Sequence, residues 1–148
     1  MPDTKLAGDT AEAIVMAEFV KLGFPVAVPW GDNRRYDLLV EVGGRFLRIQ
    51  VKVASLCGYN GSKECLRFHS SSSRYSAGRF QGREDYRGAA DIFGVYSPDT
   101  GAVYVLPIDD SLPVTDVWLR LRPTSANNQH GIRLASECTI SAWAARQG

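Results

Sequence analysis

Three polar residues within two short apolar segments have side chains suited to a reactive site. Asp37 lies near the start of "YDLLV", and Gln50 and Lys52 lie in "RFLRIQVK". A carboxylate and an amide can bind a hard cation through oxygen, and an amine can orient water or stabilise negative charge. Taken singly, Asp37 is equally typical of a strand-end acid that caps a loop amide, and Lys52 of a solvated lysine. The three residues together are more informative than any one of them.

Apolar and mainly polar side chains alternate along the second segment. One parity is apolar and consists of Leu47, Ile49, Val51 and Val53. The other is mainly polar and consists of Phe46, Arg48, Gln50 and Lys52. This alternation predicts a strand with one face in the core, and it places Gln50 and Lys52 on the opposite face.

A glycine pair connects the two segments. Gly43 and Gly44 separate "YDLLVEV" from "RFLRIQVKVAS", which predicts a tight hairpin turn. Counting outward from this turn, Asp37 lies opposite Gln50. The sequence therefore predicts that Asp37, Gln50 and Lys52 meet on one face of a sheet.

A fourth polar residue, Glu12, lies in a segment that predicts a helix from Gly8 to Gly23. At about 100° per residue, five apolar residues fall within roughly 80° of it: Val15, Met16, Phe19, Val20 and Leu22. Glu12 is then expected on the buried stripe, where a carboxylate needs a cation or strong donors. The alternative is an acid near the helix start that interacts with the helix dipole.

These residues form a pattern that resembles a known nuclease motif. The run "GDTAE…YDLLV…RIQVK" resembles the PD-(D/E)XK motif, with an acid on the preceding helix. It is most similar to the PD-(D/E)XK homing endonucleases of group I introns, which share the helix glutamate, "YDL" and "QVK". Archaeal Holliday-junction resolvases are similar in arrangement but usually have an acid before "VK". The resemblance covers residues 8–54, and "DIFGVYSPDTGAVYVLPI" resembles later strands of the same family.

Two positions depart from the motif. Tyr36 precedes Asp37 where the motif's name has a proline, and Gln50 stands where an Asp or Glu is usual. The glutamine occurs in some members of the family, so the resemblance still implies catalysis.

The resemblance implies a fold, an activity and a cofactor. The expected fold is α/β, a restriction-endonuclease-like core with a central mixed β-sheet flanked by helices, forming one nuclease domain over residues 1–148. The expected activity is Mg²⁺-dependent hydrolysis of DNA phosphodiester bonds, with Mn²⁺ as a substitute. The implied catalytic residues are Glu12, Asp37, Gln50 and Lys52. The implied metal ligands are Glu12, Asp37, Gln50 and the carbonyl oxygen of Val51.

The distribution of charge favours a polyanionic partner. Residues 31–90 contain 11 Lys or Arg against 6 Asp or Glu, although the whole chain has a net charge of only +1. Arginine donates paired hydrogen bonds that suit phosphate. We expect double-stranded DNA as the partner, contacted by seven arginines: Arg34, Arg35, Arg67, Arg74, Arg79, Arg83 and Arg87. A solvated charged surface is the alternative explanation.

Composition limits the class of protein. The 148 residues, 45% hydrophobic and 22% charged, are ordinary for one globular domain. No apolar run approaches the roughly 18 residues that a membrane span requires. The first residues contain no apolar signal segment, so we expect a cytoplasmic protein without membrane attachment. The odd number of cysteines favours reduced thiols; the spacing of Cys57, Cys65 and His69 is not a standard zinc pattern.

The remaining segments predict a mixed order of elements. Further strands are expected at residues 25–30, 65–69, 90–97, 102–108 and 117–123, and a second helix at 139–147. Residues 69–73 and 74–88 predict loop, with at most a short helix in the second segment.

Three functional hypotheses remain open from the sequence. The first is a metal-dependent endonuclease, potentially site-specific, acting as a homodimer or homotetramer because a double-strand cut needs two active sites. The second is a Holliday-junction resolvase or repair nuclease with the same core. The third is a DNA-binding module that has lost catalysis, with Gln50 as the trace of that loss.

Overall fold

The fold is mixed α/β. The structure is a computed structural model that describes residues 3–31, 33–58, 63–123 and 133–148. The described helices are α1 (Thr4–Lys21) and α2 (Ile140–Ala145), with a 3-10 turn at Ala135–Glu137. The described strands are β1 (Val26–Ala27), β2 (Leu38–Val42), β3 (Arg45–Val53), β4 (Ser55–Cys57), β5 (Cys65–His69), β6 (Ser71–Ser76), β7 (Arg79–Asp85), β8 (Ile92–Tyr96), β9 (Val103–Pro107), β10 (Asp116–Arg120) and β11 (Arg133–Leu134).

A five-stranded mixed sheet forms the centre of the fold. Its strand order is β1-β2-β3-β8-β9, in which β3 and β8 are parallel and the other neighbours antiparallel. Helices α1 and α2 cover one face, where Val15, Ile49 and Trp143 belong to one buried cluster. The predicted fold class, a central mixed sheet flanked by helices, is confirmed in this arrangement.

A second sheet covers part of the other face. Its order is β11-β10-β5-β4, and Leu66 and Leu119 from this sheet pack with Phe93 and Leu106 from the central sheet. Strands β8 and β9 are therefore buried on both faces, which explains their nearly continuous apolar sequences. Gln50 and Lys52 pair with Phe93 and Val95 across the β3–β8 ladder, so the polar parity of β3 faces this side of the sheet.

Helix α1 begins earlier than its sequence predicts. The Asp3 side chain accepts hydrogen bonds from the backbone N–H groups of Lys5 and Leu6 and so caps the helix five residues before the interior glycine Gly8. The helix ends before Gly23, whose φ of 90° suits glycine.

The buried stripe of α1 also differs from the prediction. It consists of Ala11, Val15 and Phe19, whereas Val20 is 56% exposed. The sequence-based stripe was centred on Glu12, one residue further round the helix, and this was wrong. Glu12 lies at the edge of the stripe and is half-buried.

The β2–β3 hairpin matches its prediction. Gly43 and Gly44 have φ values of 56° and 80°, the positive values that a tight hairpin turn requires. Leu38 pairs with Ile49, and the same register extended by one residue places Asp37 opposite Gln50. The glycine turn thus determines that Asp37 lies opposite Gln50, on the polar face of β3.

Residues 71–85 form a second hairpin, and the loop predicted there was wrong. Strands β6 and β7 pair around Ala77 and Gly78, both with positive φ. Most side chains on both strands are exposed, so the segment has no buried face to impose an alternating pattern. An alanine in a positive-φ turn position is also uncommon, which removes the usual hairpin signal.

The cysteines and the helices relate to two other expectations from the sequence, reduced thiols without zinc and no membrane span. All three cysteines are free, and Cys57 lies directly opposite Cys65 across the β4–β5 pair. In the part of the chain that the structure describes, no group of three or more His, Cys, Asp or Glu side chains could hold a metal ion. None of the described helices is long and apolar enough to cross a membrane.

Candidate active site

Asp37 lies immediately before β2 and is fixed to the neighbouring strand. Its Oδ2 atom accepts a hydrogen bond from the Val51 backbone N–H at 2.9 Å, and its own N–H donates to the Ile49 carbonyl at 2.7 Å. Burial raises the pKa of Asp37, while the hydrogen bond from Val51 and the charge of Lys52 act in the opposite direction. A nearby cation would offset this effect of burial, because an opposite charge favours the charged form of a carboxylate.

Glu12 approaches the same carboxylate from α1. Because the helix begins at Thr4, Glu12 lies more than two turns inside it, beyond the reach of the helix-start dipole. Burial raises the pKa of Glu12, and the next largest cause is repulsion from Asp37. A cation bound between the two acids would favour the charged form of each.

An open cleft connects the two acids with a loop that precedes β2. Glu12 and Asp37 line a cavity of about 400 Å³ together with Arg34, Tyr36 and Trp30. The Trp30 side chain is 96% exposed. Sequence reasoning missed Trp30, because a single aromatic in a Pro- and Gly-containing segment carries no periodic signal.

Gln50 and Lys52 face the side of the sheet opposite α1. The Gln50 Nε2 atom lies 3.4 Å from the Val51 carbonyl oxygen, so the side-chain amide and the backbone carbonyl predicted as ligands are adjacent. The Lys52 Nζ atom donates to the Tyr86 hydroxyl at 3.1 Å. Lys52 also lies close enough to Asp37 for its charge to lower the pKa of that acid.

The donor set fits a hard divalent cation. Two carboxylates, an amide oxygen and a backbone carbonyl are the oxygen ligands that Mg²⁺ accepts, with water completing the shell. The structure therefore brings Glu12 and Asp37 into one cleft, and it places Gln50, Val51 and Lys52 on the strand that Asp37 contacts.

The chain matches a known protein-family model over nearly its whole length. A model described as PD-(D/E)XK endonuclease matches residues 2–141, nearly the whole chain. The chain belongs to the PD-(D/E)XK endonuclease family. The resemblance recognised in the sequence is confirmed, and the chain is by family a nuclease.

Solved structures agree with this family at the level of the fold. A bacterial homing endonuclease, I-Ssp6803I, is similar with a TM-score of 0.76 and 24% sequence identity. The match covers 99% of this chain and 94% of that one. No curated protein matches the chain.

Three of the seven arginines predicted to bind DNA are exposed and have no hydrogen bond or ion pair with other described residues. Arg34 lines the cleft of Glu12 and Asp37, and Arg74 and Arg79 lie on the β6–β7 hairpin.

The other four arginines make contacts within the protein. Arg67 lies on the outer face of β5, with its guanidinium 5.6 Å from the Trp118 ring centroid. Arg83 donates to the Ser71 hydroxyl at 3.3 Å.

Arg87 pairs with Asp85 and Asp110 at 3.8 and 3.2 Å. Arg35 donates to the backbone carbonyl of Glu84, to that of Asp85 and to the Ser72 hydroxyl. These contacts join the loop before β2 to the β6–β7 hairpin.

Asp91 supports the sheet beside the nuclease motif. Its carboxylate accepts hydrogen bonds from the Arg48 backbone N–H at 2.7 Å and from the Arg48 guanidinium at 3.1 Å. These bonds lower the pKa of Asp91. Asp91 therefore fastens β8 to β3, the strand that carries Gln50 and Lys52.

Proposed function

We propose that this PD-(D/E)XK endonuclease is a metal-dependent enzyme that cleaves double-stranded DNA at the cleft of Glu12 and Asp37. The observation that carries the proposal is that Glu12 and Asp37 line one cleft, and that Asp37 is hydrogen-bonded to the strand that carries Gln50 and Lys52. A site-specific homing role is the favoured cellular setting, because both the motif and the similar bacterial structure belong to homing endonucleases.

The cation is proposed to be Mg²⁺, with Mn²⁺ able to replace it. When bound, it would neutralise phosphate charge and lower the pKa of a coordinated water. Asp37 would hold it through Oδ1, because Oδ2 is engaged by the Val51 N–H. Glu12 would contribute the second negative charge, and Gln50 and the Val51 carbonyl neutral oxygens.

Lys52 acts on the reacting groups in this proposal. Its amine lies on β3, the strand that Asp37 contacts. The amine would orient the attacking water and donate a hydrogen bond to the oxygens of the developing phosphorane. Asp37 and Glu12 would hold no proton at this stage, because a nearby cation favours their charged forms.

The DNA duplex is proposed to extend from the cleft across the β6–β7 hairpin. Arg34, Arg74 and Arg79 would contact phosphates directly, since their guanidinium groups are exposed. Arg35, Arg67, Arg83 and Arg87 would add to the positive field while keeping their contacts within the protein.

Cleavage of both strands is proposed to require a homodimer or homotetramer. One chain contributes one candidate site, and a symmetric pair of sites matches the two antiparallel strands of DNA. Sedimentation of the protein with and without DNA measures the stoichiometry.

The decisive experiment is cleavage of a random-site DNA library in Mg²⁺, in Mn²⁺ and in excess chelator, followed by sequencing of the ends. Defined ends that depend on metal are the expected result. Asp37→Asn and Lys52→Ala are expected to abolish cleavage while DNA affinity and melting temperature stay close to wild type, because chemistry and phosphate contacts are separate.

Other outcomes redirect or overturn the proposal. Wild-type cleavage by either variant would remove that residue from the site. A strong preference for four-way junctions over duplex would favour a resolvase. Tight DNA binding without metal-dependent nicking in any substrate would favour the non-catalytic module.

A further inference from the structure

Tyr86 connects the β6–β7 hairpin to the polar face of β3. It follows β7 directly, is 6% exposed and packs its ring edge-to-face on Phe93, with centroids 5.7 Å apart. Its hydroxyl accepts the hydrogen bond from Lys52 Nζ at 3.1 Å. A buried aromatic ring thus presents one polar atom to the lysine of the nuclease motif.

The other surroundings of the ring hold it in place. The Arg35 guanidinium carbon lies 4.3 Å from the Tyr86 ring centroid. Arg35 is itself held by the carbonyls of Glu84 and Asp85 and by the Ser72 hydroxyl. Packing by Phe93 and Arg35 leaves the Tyr86 hydroxyl little freedom to move away from Lys52.

We propose that Tyr86 is a positioning residue that holds the Lys52 amine in its working place. A lysine side chain loses rotamer entropy when it is fixed. A rigid acceptor reduces that loss in advance of the reaction, since preorganised groups need not reorganise when charge develops. The inference rests on the proposed catalytic role of Lys52 and assigns Tyr86 no contact with DNA.

The test compares Tyr86→Phe with Tyr104→Phe. Both remove one hydroxyl from the same buried cluster, because Tyr104 is 4% exposed and its hydroxyl bonds Thr100 at 3.0 Å. Tyr86→Phe is expected to lower kcat about tenfold, the order of effect of a hydrogen bond to a charged group. KM is expected to stay within about twofold, because Tyr86 has no proposed contact with the DNA substrate and its loss should not weaken substrate binding. Tyr104→Phe is expected to leave kcat unchanged.

A double variant separates this inference from the proposed function. If Tyr86 acts through Lys52, adding Tyr86→Phe to Lys52→Ala causes no further loss of the trace nicking that remains measurable only with enzyme in large excess and long incubation. Wild-type kcat in Tyr86→Phe, with Lys52→Ala inactive, overturns the positioning role alone. An equal fall in the two phenylalanine variants also overturns it. Equal cleavage by wild type and Lys52→Ala overturns the role proposed for Lys52, and with it this inference.

Discussion

At the scale of single residues, Gln50 leaves the proposed metal site without one of the usual acids, and Glu12 can replace it. An amide supplies no charge, so Asp37 alone would leave a divalent cation with one anionic ligand on this chain. Glu12 lines the same cleft as Asp37, and repulsion from Asp37 is among the causes that raise the pKa of Glu12. We infer that Glu12 supplies the charge that the motif's missing acid would provide.

Substitution at these positions tests the compensation. Glu12→Gln is expected to slow single-turnover cleavage about 100-fold or more, or ~3 kcal/mol of transition-state stabilisation. Gln50→Glu is expected to be tolerated better, because it restores an acid of the same length. Glu18→Gln is the matched control, since Glu18 lies on the same helix and pairs only with Lys21 among the described residues.

The rates are measured across a Mg²⁺ titration. Wild-type rates for Glu12→Gln at every concentration would show that Asp37 binds the metal with neutral ligands and water alone.

The Arg48–Asp91 pair determines a separate dependence of stability on pH. The folded pKa of Asp91 is lowered, so its contribution to the free energy of unfolding is present above the unfolded pKa and is lost as pH falls through the folded value. The side chains are 35% and 34% exposed, and solvent screening limits the effect to ~1 kcal/mol.

Urea unfolding measures this contribution. Asp91→Asn is expected to be less stable than wild type at pH 7, with the difference shrinking below about pH 4, the usual range of the carboxyl pKa. Asp110→Asn is the control, because Asp110 is 95% exposed in its pair with Arg87. A difference for Asp91→Asn that does not change with pH would contradict the ionic explanation.

At the scale of elements, the β6–β7 hairpin combines an exposed surface with a fixed base. Arg74 and Arg79 lie towards its turn, while Arg35 anchors the backbone of β7. Such an element can present charge to DNA without itself rearranging. We therefore propose that the hairpin contacts phosphates rather than bases.

Salt dependence tests that assignment. The double variant Arg74→Ala, Arg79→Ala is expected to reduce the slope of log affinity against log salt by about two, since each arginine would neutralise one phosphate. Lys21→Ala, Arg146→Ala removes the same charge from the ends of α1 and α2 and is expected to change the slope much less. Equal changes in slope would indicate that net charge, and not the hairpin, binds DNA.

At the scale of the whole molecule, the site depends on how closely α1 packs on the central sheet. Gly94 in β8 allows this approach, since a Cβ there would lie 2.8 Å from Val15 Cγ1 and 3.1 Å from Ile49 Cγ2. The same helix carries Glu12 to Asp37. Any displacement of α1 from β8 would therefore separate the two acids.

Two glycine substitutions measure this packing. Gly94→Ala is expected to lower the free energy of unfolding by about 1–3 kcal/mol, the usual cost of overpacking. Gly8→Ala, at a helical position with open space around it, is expected to raise it by about 0.5–1 kcal/mol. Urea unfolding of both variants gives the values; an unchanged stability for Gly94→Ala would mean that α1 can shift freely on the sheet.

The sequence by itself determined the part of the site that short-range rules govern. A glycine-pair turn and a period-two pattern fixed the β2–β3 register, and with it the placement of Asp37 opposite Gln50 and of Lys52 on the same face. Both rules act over a few residues, so no other part of the chain was needed to apply them.

The tertiary structure alone decided the contacts between distant elements. The face of α1 that is buried, the pairing of β6 with β7 and the bond from Lys52 to Tyr86, 34 residues away, depend on packing. The β6–β7 hairpin has no buried face that would impose an alternating pattern on its sequence. Glu12 lies one residue away from the centre of the buried stripe of α1. Their positions are determined by surfaces from other elements, which local periodicity does not contain.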